Sequence, residues 1–334
     1  MEMNYALDEE ARKKPIGRLT LGILLCVLPL VISFFSPLRP DTALVYVGLL
    51  PAFVALPSGP RVTFGTAFAT ATAMFLGLLL SDTPILAALL MMGLAVGVAF
   101  SHTQGWQAAG TYVATQAGLA AVAVPSARVL EHGVHAPSSL TNAATVAAVA
   151  LGAGLWVAVF GSLTLHGIVS TPHRKEWDED MTIFAATLAI LLGISTFALM
   201  NFTNGGNAWW ILLTILVSVA PTAKASITRA FQRAGGTVVG GAIAALLIVT
   251  IDDRGLLITV GFIAAIVSAV SYIKAPYWIF SASLTLALVL LALPQARALH
   301  GDFQRVAFTI IAALIVVAVS LGTDYARKRF SQQS

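Results

Sequence analysis

The chain has 334 residues, of which 58% are hydrophobic and only 10% are charged. A soluble domain carries roughly 25% charged residues, so this composition excludes an ordinary soluble protein and predicts an all-α polytopic membrane protein. The formal net charge is +4, and no polar stretch approaches the roughly 100 residues of a usual catalytic domain. We therefore expect that the protein is not an enzyme.

Apolar runs recur from Ile16 to Thr323 and predict about twelve membrane-spanning helices. In chain order these cover 16–35, 42–56, 62–80, 84–100, 105–124, 140–167, 181–200, 207–220, 228–250, 255–273, 277–293 and 303–323. The runs 42–56 and 207–220 are shorter than the roughly 20 residues that an upright span needs. Ten or eleven spans are therefore alternatives.

The distribution of basic residues predicts the orientation of the chain. On the twelve-span path, 14 of the 19 Lys and Arg residues fall on one side of the membrane and 5 on the other. Short cytoplasmic loops carry the excess of Lys and Arg. Both termini are therefore expected in the cytoplasm.

The two halves of the chain repeat one order of features. Each has an apolar helix, a short helix ending in Pro, a basic link and a helix with a Gly-Thr pair. The predicted domains are an N-terminal segment 1–15, a first repeat 16–168, a linker 169–180, a second repeat 181–324 and a basic tail 325–334. Because six spans is an even number, the sequence predicts two parallel six-helix repeats.

Small residues recur at every fourth position in several predicted helices, which favours close packing of helices. They are Gly65, Ala69, Ala73 and Gly77 in the first half, Gly93 and Gly97 in the fourth helix, and Gly236, Gly240 and Ala244 in the second half. Pro221 ends the predicted eighth helix. We assign these glycines and Pro221 to helix packing.

A short basic segment joins two apolar runs between residues 207 and 248, and it contains Lys224, Arg229 and Arg233. Since Arg229 and Arg233 are four residues apart, a helix places both guanidinium groups on one face, with Gln232 nearby. They are predicted to gather an organic anion. The alternative is that they anchor the helix at the membrane interface. Arg61 holds the equivalent place in the first half.

Three further side chains are candidates for a functional role. Trp209 and Trp210 open the predicted eighth helix, where they either anchor it at the headgroup level or stack on an aromatic solute. His166 is a candidate for proton coupling, with a hydrogen-bonded interfacial histidine as the alternative. No motif for a metal or a cofactor is present, and Cys26 alone cannot build a thiolate site.

The segment WWILLTILVSVAPTAKASITRAFQRAGGTVVGGAIAALL resembles the signature of the fusaric acid resistance-like (FUSC) family, also described as integral membrane bound transporter domain proteins. The pattern consists of Trp210, Pro221, Arg229, Arg233, Gly236-Thr237 and Gly240. The resemblance implies a secondary transporter in the cytoplasmic (inner) membrane that exports small organic anions, often aromatic carboxylic acids or related toxic compounds. It also implies a periplasmic adaptor protein and a homodimer as partners.

Two other functions fit the same sequence. An organic-anion channel agrees with the lack of a carboxylate in the middle of any predicted span. A membrane scaffold or assembly partner that transports nothing would use the small-residue stripes to bind other proteins. The expected surroundings are the lipid bilayer in each case, and no nucleic-acid partner is expected.

Overall fold

The computed structural model describes residues 16–126, 138–164, 174–203, 206–292 and 295–331. All regular elements within these residues are helical. The α-helices are α1 (Ile16–Phe34), α2 (Thr42–Ala55), α3 (Pro60–Leu79), α4 (Pro84–Thr103), α5 (Gln107–Ala123), α6 (Leu140–Thr164), α7 (Glu179–Phe202), α8 (Trp210–Ser218), α9 (Ala223–Thr250), α10 (Arg254–Lys274), α11 (Tyr277–Ala292) and α12 (Gln295–Ser331). Short 3-10 helices cover Arg39–Asp41, Leu56–Ser58 and Gly206–Trp209.

The order of these helices agrees with the predicted spans, and the largest differences lie at the ends of two helices. α9 begins at Ala223 and not at 228, while α12 runs from Gln295 to Ser331 and not over 303–323. Hydropathy detects only the apolar part of a helix, whereas Lys, Arg and Gln are also good helix formers. Polar turns at both ends of α12, including part of the predicted basic tail, therefore continue the helix.

Seven helices of the described chain are long and apolar enough to cross a membrane: α3, α4, α6, α7, α9, α10 and α12. Four other apolar helical segments, which include α1, α2, α8 and α11, are shorter. α8 has 9 residues and extends about 14 Å at 1.5 Å per residue, about half of the hydrocarbon thickness. The chain is a multi-pass membrane protein.

The structure divides into two compact units, with the division between Trp209 and Trp210. The first unit holds α1 to α7, and the second holds α8 to α12. α7 packs against α4 in the first unit. The division therefore comes one helix later than the predicted linker 169–180.

In the first unit α3 is the central helix. It packs against α2, α5 and α6, while α4 packs against α5. Small residues allow close approach: a methyl group added at Gly77 would overlap Ala117 and Ala120 of α5. The helices therefore meet nearly backbone to backbone.

A proline in α1 is matched by a tryptophan in α6. Pro29 has no N–H, so the carbonyl oxygen of Leu25, four residues earlier, loses its partner within the helix. The indole Nε1 of Trp156 donates a hydrogen bond of 2.9 Å to this oxygen. The contact fixes α1 against α6.

The second unit has the same pattern of helix contacts. α9 is central and packs against α8, α11 and α12, while α10 packs against α11. α9 thus has the place of α3, six helices earlier in the chain.

The buried faces of α6 and α12 also correspond. When Asn142 is aligned with Ala312, the buried positions of residues 142–150 fall on the buried positions of residues 312–320. The aligned pairs are Asn142 and Ala312, Ala143 and Ala313, Val146 and Val316, and Ala150 and Ser320. The two helices therefore bury the same face.

The glycines do not form the single packing stripes that the four-residue spacing predicted. A methyl group at Gly65, Gly93 or Gly97 would meet no described atom within 4 Å, whereas one at Gly77 would overlap α5. Each four-residue step turns about 40° beyond a full circle, so Gly65 and Gly77 point about 120° apart. They cannot both face the same neighbour.

Candidate functional site

A turn around Pro221 separates α8 from α9. Pro221 cannot donate a backbone hydrogen bond, and Thr222 caps α9 by accepting from the N–H of Ala225. The hydroxyl of Ser226 accepts from the N–H of Ala220 at 2.9 Å and is 3.1 Å from the carbonyl oxygen of Ala220. These bonds fix the start of α9 and therefore the positions of its basic side chains.

The predicted basic residues all lie on α9, beyond the link between helices. Lys224 is exposed, Arg229 and Gln232 are half-buried, and Arg233 is only 1% exposed. Arg229 and Arg233 share a face, as predicted. Lys224 precedes Arg233 by nine residues, which places it about 180° away around the helix. The structure therefore does not bring Lys224 into one cluster with Arg233.

Arg233 is held by a serine of α11. Its Nη1 donates to the Oγ of Ser281 at 3.4 Å, and that hydroxyl donates to the carbonyl oxygen of Arg233 at 3.1 Å. The Oγ1 of Thr237, one turn further along α9, lies 3.4 Å from the Oγ of Ser281. The Nε and Nη2 of Arg233 have no hydrogen-bond partner among the described residues.

A second buried arginine contacts α11 one turn beyond Ser281. Arg305 of α12 is 3% exposed, and its Nη2 donates to the Oγ1 of Thr285 at 3.1 Å. Its guanidinium lies over the ring of Trp210, 4.0 Å from the ring centroid. Such cation–π contacts stabilise a desolvated guanidinium. We call Arg233, Arg305, Ser281, Thr285 and Trp210 the arginine cluster.

Two glycines bring the helices of this cluster together. A methyl group at Gly236 would overlap Trp278 and Ser281, and one at Gly240 would overlap Ala282 and Thr285. α9 and α11 are thus in close contact where Ser281 and Thr285 meet the arginines. The predicted packing role of Gly236 and Gly240 therefore sets the geometry of the cluster.

The electrostatics of the cluster favour a negatively charged partner. A buried arginine in a membrane helix is costly unless it is paired or faces a polar path. The part of the chain that the structure describes contains an ion pair between Lys175 and Asp178, which lies in the linker before α7. No ion pair of Arg233 is present in the part of the chain that the structure describes.

Buried hydroxyl groups follow Trp210 on α8 and Arg305 on α12. Thr214 and Ser218 lie one and two turns after Trp210, and Thr309 lies one turn after Arg305. Each side chain is fully buried, and each hydroxyl oxygen lacks a hydrogen-bond partner among the described residues. These hydroxyls can donate hydrogen bonds to an anion.

The other predicted site residues lie elsewhere. Arg61 is exposed in the first turn of α3. Trp209 packs against the hydrophobic core of the first unit, whereas Trp210 is buried in the second unit beneath Arg305. Trp210 is therefore not an exposed anchor in the headgroup region. His166 lies outside the described residues.

Sequence analysis did not select Arg305, Ser281 or Thr285 for this site. Ser281 is 48 residues from Arg233 and Thr285 is 20 residues from Arg305, so no local spacing joins them. One signal was available: Ser281 and Thr285 stand four apart in an apolar helix, and Arg305 lies within the apolar part of α12.

The comparisons with known proteins identify one part of the chain. Neither the curated proteins nor the solved structures gave a match. Residues 182–319 match the family model described as fusaric acid resistance protein-like, and this segment contains the whole arginine cluster. The predicted resemblance to the fusaric acid resistance protein-like (FUSC) family is thus confirmed over residues 182–319.

Proposed function

We propose that the protein is a secondary membrane transporter that exports small organic anions, with aromatic carboxylic acids as the first class to test. Its location on this proposal is the cytoplasmic (inner) membrane, with both termini in the cytoplasm. The family match supports membrane transport. The observation that carries the choice of an anion is the burial of Arg233 without an ion-pair partner in the described chain.

The proposed path begins at the first turns of α9. The half-buried Arg229 lies one turn before Arg233 and attracts the anion from the cytoplasm. Arg233 and Arg305 then hold it in the interior, where a low dielectric constant strengthens charge–charge attraction. Lys224, exposed on another face of α9, contributes only long-range attraction.

The proposed architecture is a pair of six-helix repeats, of which only the second carries the anion site. The corresponding helix contacts of α3 and α9 support the duplication. When the buried positions of α3 are aligned with those of α9, Thr63 has the place of Arg233. The first repeat therefore contributes helices that gate the path and no counterpart of Arg233.

Flux measurements in proteoliposomes test this function. The purified protein is reconstituted, and benzoate, acetate and succinate uptake is followed with and without an imposed pH gradient. Saturable flux that responds to the gradient supports the transporter. Conductance independent of the gradient would instead favour the channel. The absence of flux for all anions would contradict the proposal and favour a scaffold.

The involvement of a periplasmic adaptor, a homodimer and His166 remains part of this proposal. Each is tested separately from the anion site. Chemical crosslinking of the protein in native membranes would identify an adaptor or a second copy, and substitution of His166 by Gln would remove any proton coupling that depends on it. Loss of the pH-gradient response with retained benzoate binding is expected for such coupling.

A further inference from the structure

The guanidinium group of Arg233 has one complete edge without a partner among the described residues. Nη1 donates to Ser281, while Nε and Nη2 do not donate to any described atom. Nε and Nη2 lie on the same edge of the planar guanidinium group, and one N–H bond of each points in the same direction. This edge can donate two parallel hydrogen bonds to the two oxygens of one carboxylate.

We infer that Arg233 is the residue that selects a carboxylate, by binding both of its oxygens through Nε and Nη2. This inference rests on the proposed function and names the ligand group that its site accepts. A halide ion would accept at one point and gain no second directed bond. A neutral amide of the same shape presents one oxygen and an NH₂ group. The NH₂ group would face a donor of Arg233 and could not accept a hydrogen bond from it.

The contacts of Ser281 keep this edge available. Its Oγ binds both Nη1 and the carbonyl oxygen of Arg233, which restricts the long side chain to one direction. Ser281 is therefore a positioning residue for the Nε–Nη2 edge of Arg233, which we call the fork. Because Arg233 is 1% exposed, the carboxylate reaches the edge only after the surrounding helices separate, as alternating access requires.

Binding by the purified full-length protein in detergent tests the inference without requiring flux. The shift in thermal unfolding temperature is measured against the concentration of benzoate, benzamide and chloride. The wild type should bind benzoate in preference to the other two. Arg233→Lys keeps the positive charge but loses the fork, so benzoate should bind roughly tenfold to a hundredfold more weakly.

Two variants separate selection from folding. Arg61→Lys makes the same exchange at an exposed position and should bind benzoate like the wild type. Ser281→Ala leaves both donors of the Nε–Nη2 edge intact but frees the direction of the edge, so it should lower the ratio of benzoate to chloride affinity. This ratio can be read even where Arg233→Lys fails to fold.

Equal benzoate affinity in the wild type and Arg233→Lys would overturn the inference. Equal wild-type affinity for benzoate and chloride would also overturn it, while leaving anion transport in place. Preferential benzoate binding without flux would instead support the inference and contradict the proposed export.

Discussion

At the scale of single residues, the second unit pairs each buried arginine with a hydroxyl of α11. Arg233 meets Ser281 and Arg305 meets Thr285. The four-residue spacing of Arg229 and Arg233 predicted the shared helix face from the sequence. The partners on α11 and α12 could not be predicted in this way, because helix periodicity describes neighbours on one helix and not contacts between helices.

The neighbouring glycines Gly235 and Gly236 give a matched test of close packing. Gly236→Ala would place a methyl group 2.7 Å from the Cβ of Ser281, whereas Gly235→Ala would meet no described atom within 4 Å. We expect Gly236→Ala to lower the free energy of unfolding by about 1–3 kcal/mol. Gly235→Ala should be neutral or stabilising, since Ala favours a helix by up to about 1 kcal/mol. Unfolding in detergent measures both, and equal effects would contradict the described contact of α9 with α11.

The hydrogen bond between Trp156 and Leu25 gives a second prediction. Trp156→Phe removes the indole donor and leaves the carbonyl oxygen freed by Pro29 without its partner. We expect a loss of about 1 kcal/mol in the free energy of unfolding. Pro29→Ala restores the N–H of residue 29, so Trp156→Phe should cost less in that background. A double-mutant cycle with no coupling would show that this bond is unimportant.

At the scale of elements, sequence analysis predicted the order of the helices better than their ends. Apolar runs identify the part of a helix that lies in lipid, which is why α9 and α12 are longer than predicted. The brevity of α8 was visible in its short apolar run. The sequence did not show that the end of α8 at Ser218 is buried. The structure shows this burial, and Ser226 bonds to the backbone of Ala220 just beyond that end.

The linker before α7 shows how polar residues begin a membrane helix. Asp178 accepts from the N–H of Met181 at 2.8 Å and pairs with Lys175 at 2.7 Å. The hydrogen bond from Lys175 lowers the pKa of Asp178 below 3.8, and the bond from Met181 acts in the same direction. The hydrogen bond to Asp178 raises the pKa of Lys175 above 10.5.

These pKa directions predict a pH window for the start of α7. The stabilisation by Asp178 is fully present above its ordinary pKa of 3.8 and is lost as the pH falls through its lowered value. The stabilisation by Lys175 is present below 10.5 and is lost as the pH rises through its raised value. Asp178→Ala should therefore increase amide exchange in the first turn of α7 at neutral pH. Asp178→Asn keeps a capping oxygen and should have a smaller effect; equal exchange in all three proteins would contradict the cap.

At the scale of the whole molecule, the two units share a pattern of helix contacts but differ in their buried charges. α3 and α9 hold the central places, yet Thr63 stands where the second unit has Arg233. The sequence predicted the duplication from its order of features. Among the described residues the buried cations, Arg233 and Arg305, both lie in the second unit, which only the structure showed.

The central claim is that a buried arginine binds the transported anion, and benzoate flux in proteoliposomes tests it most directly. The measurement compares the wild type with Arg233→Gln and with Arg61→Gln, which removes one positive charge at an exposed position. Loss of a charge-assisted hydrogen bond in a buried site predicts at least about a tenfold fall in saturable flux for Arg233→Gln. Arg61→Gln should transport like the wild type. Equal flux in Arg233→Gln and the wild type, at equal amounts of folded protein, would contradict the claim.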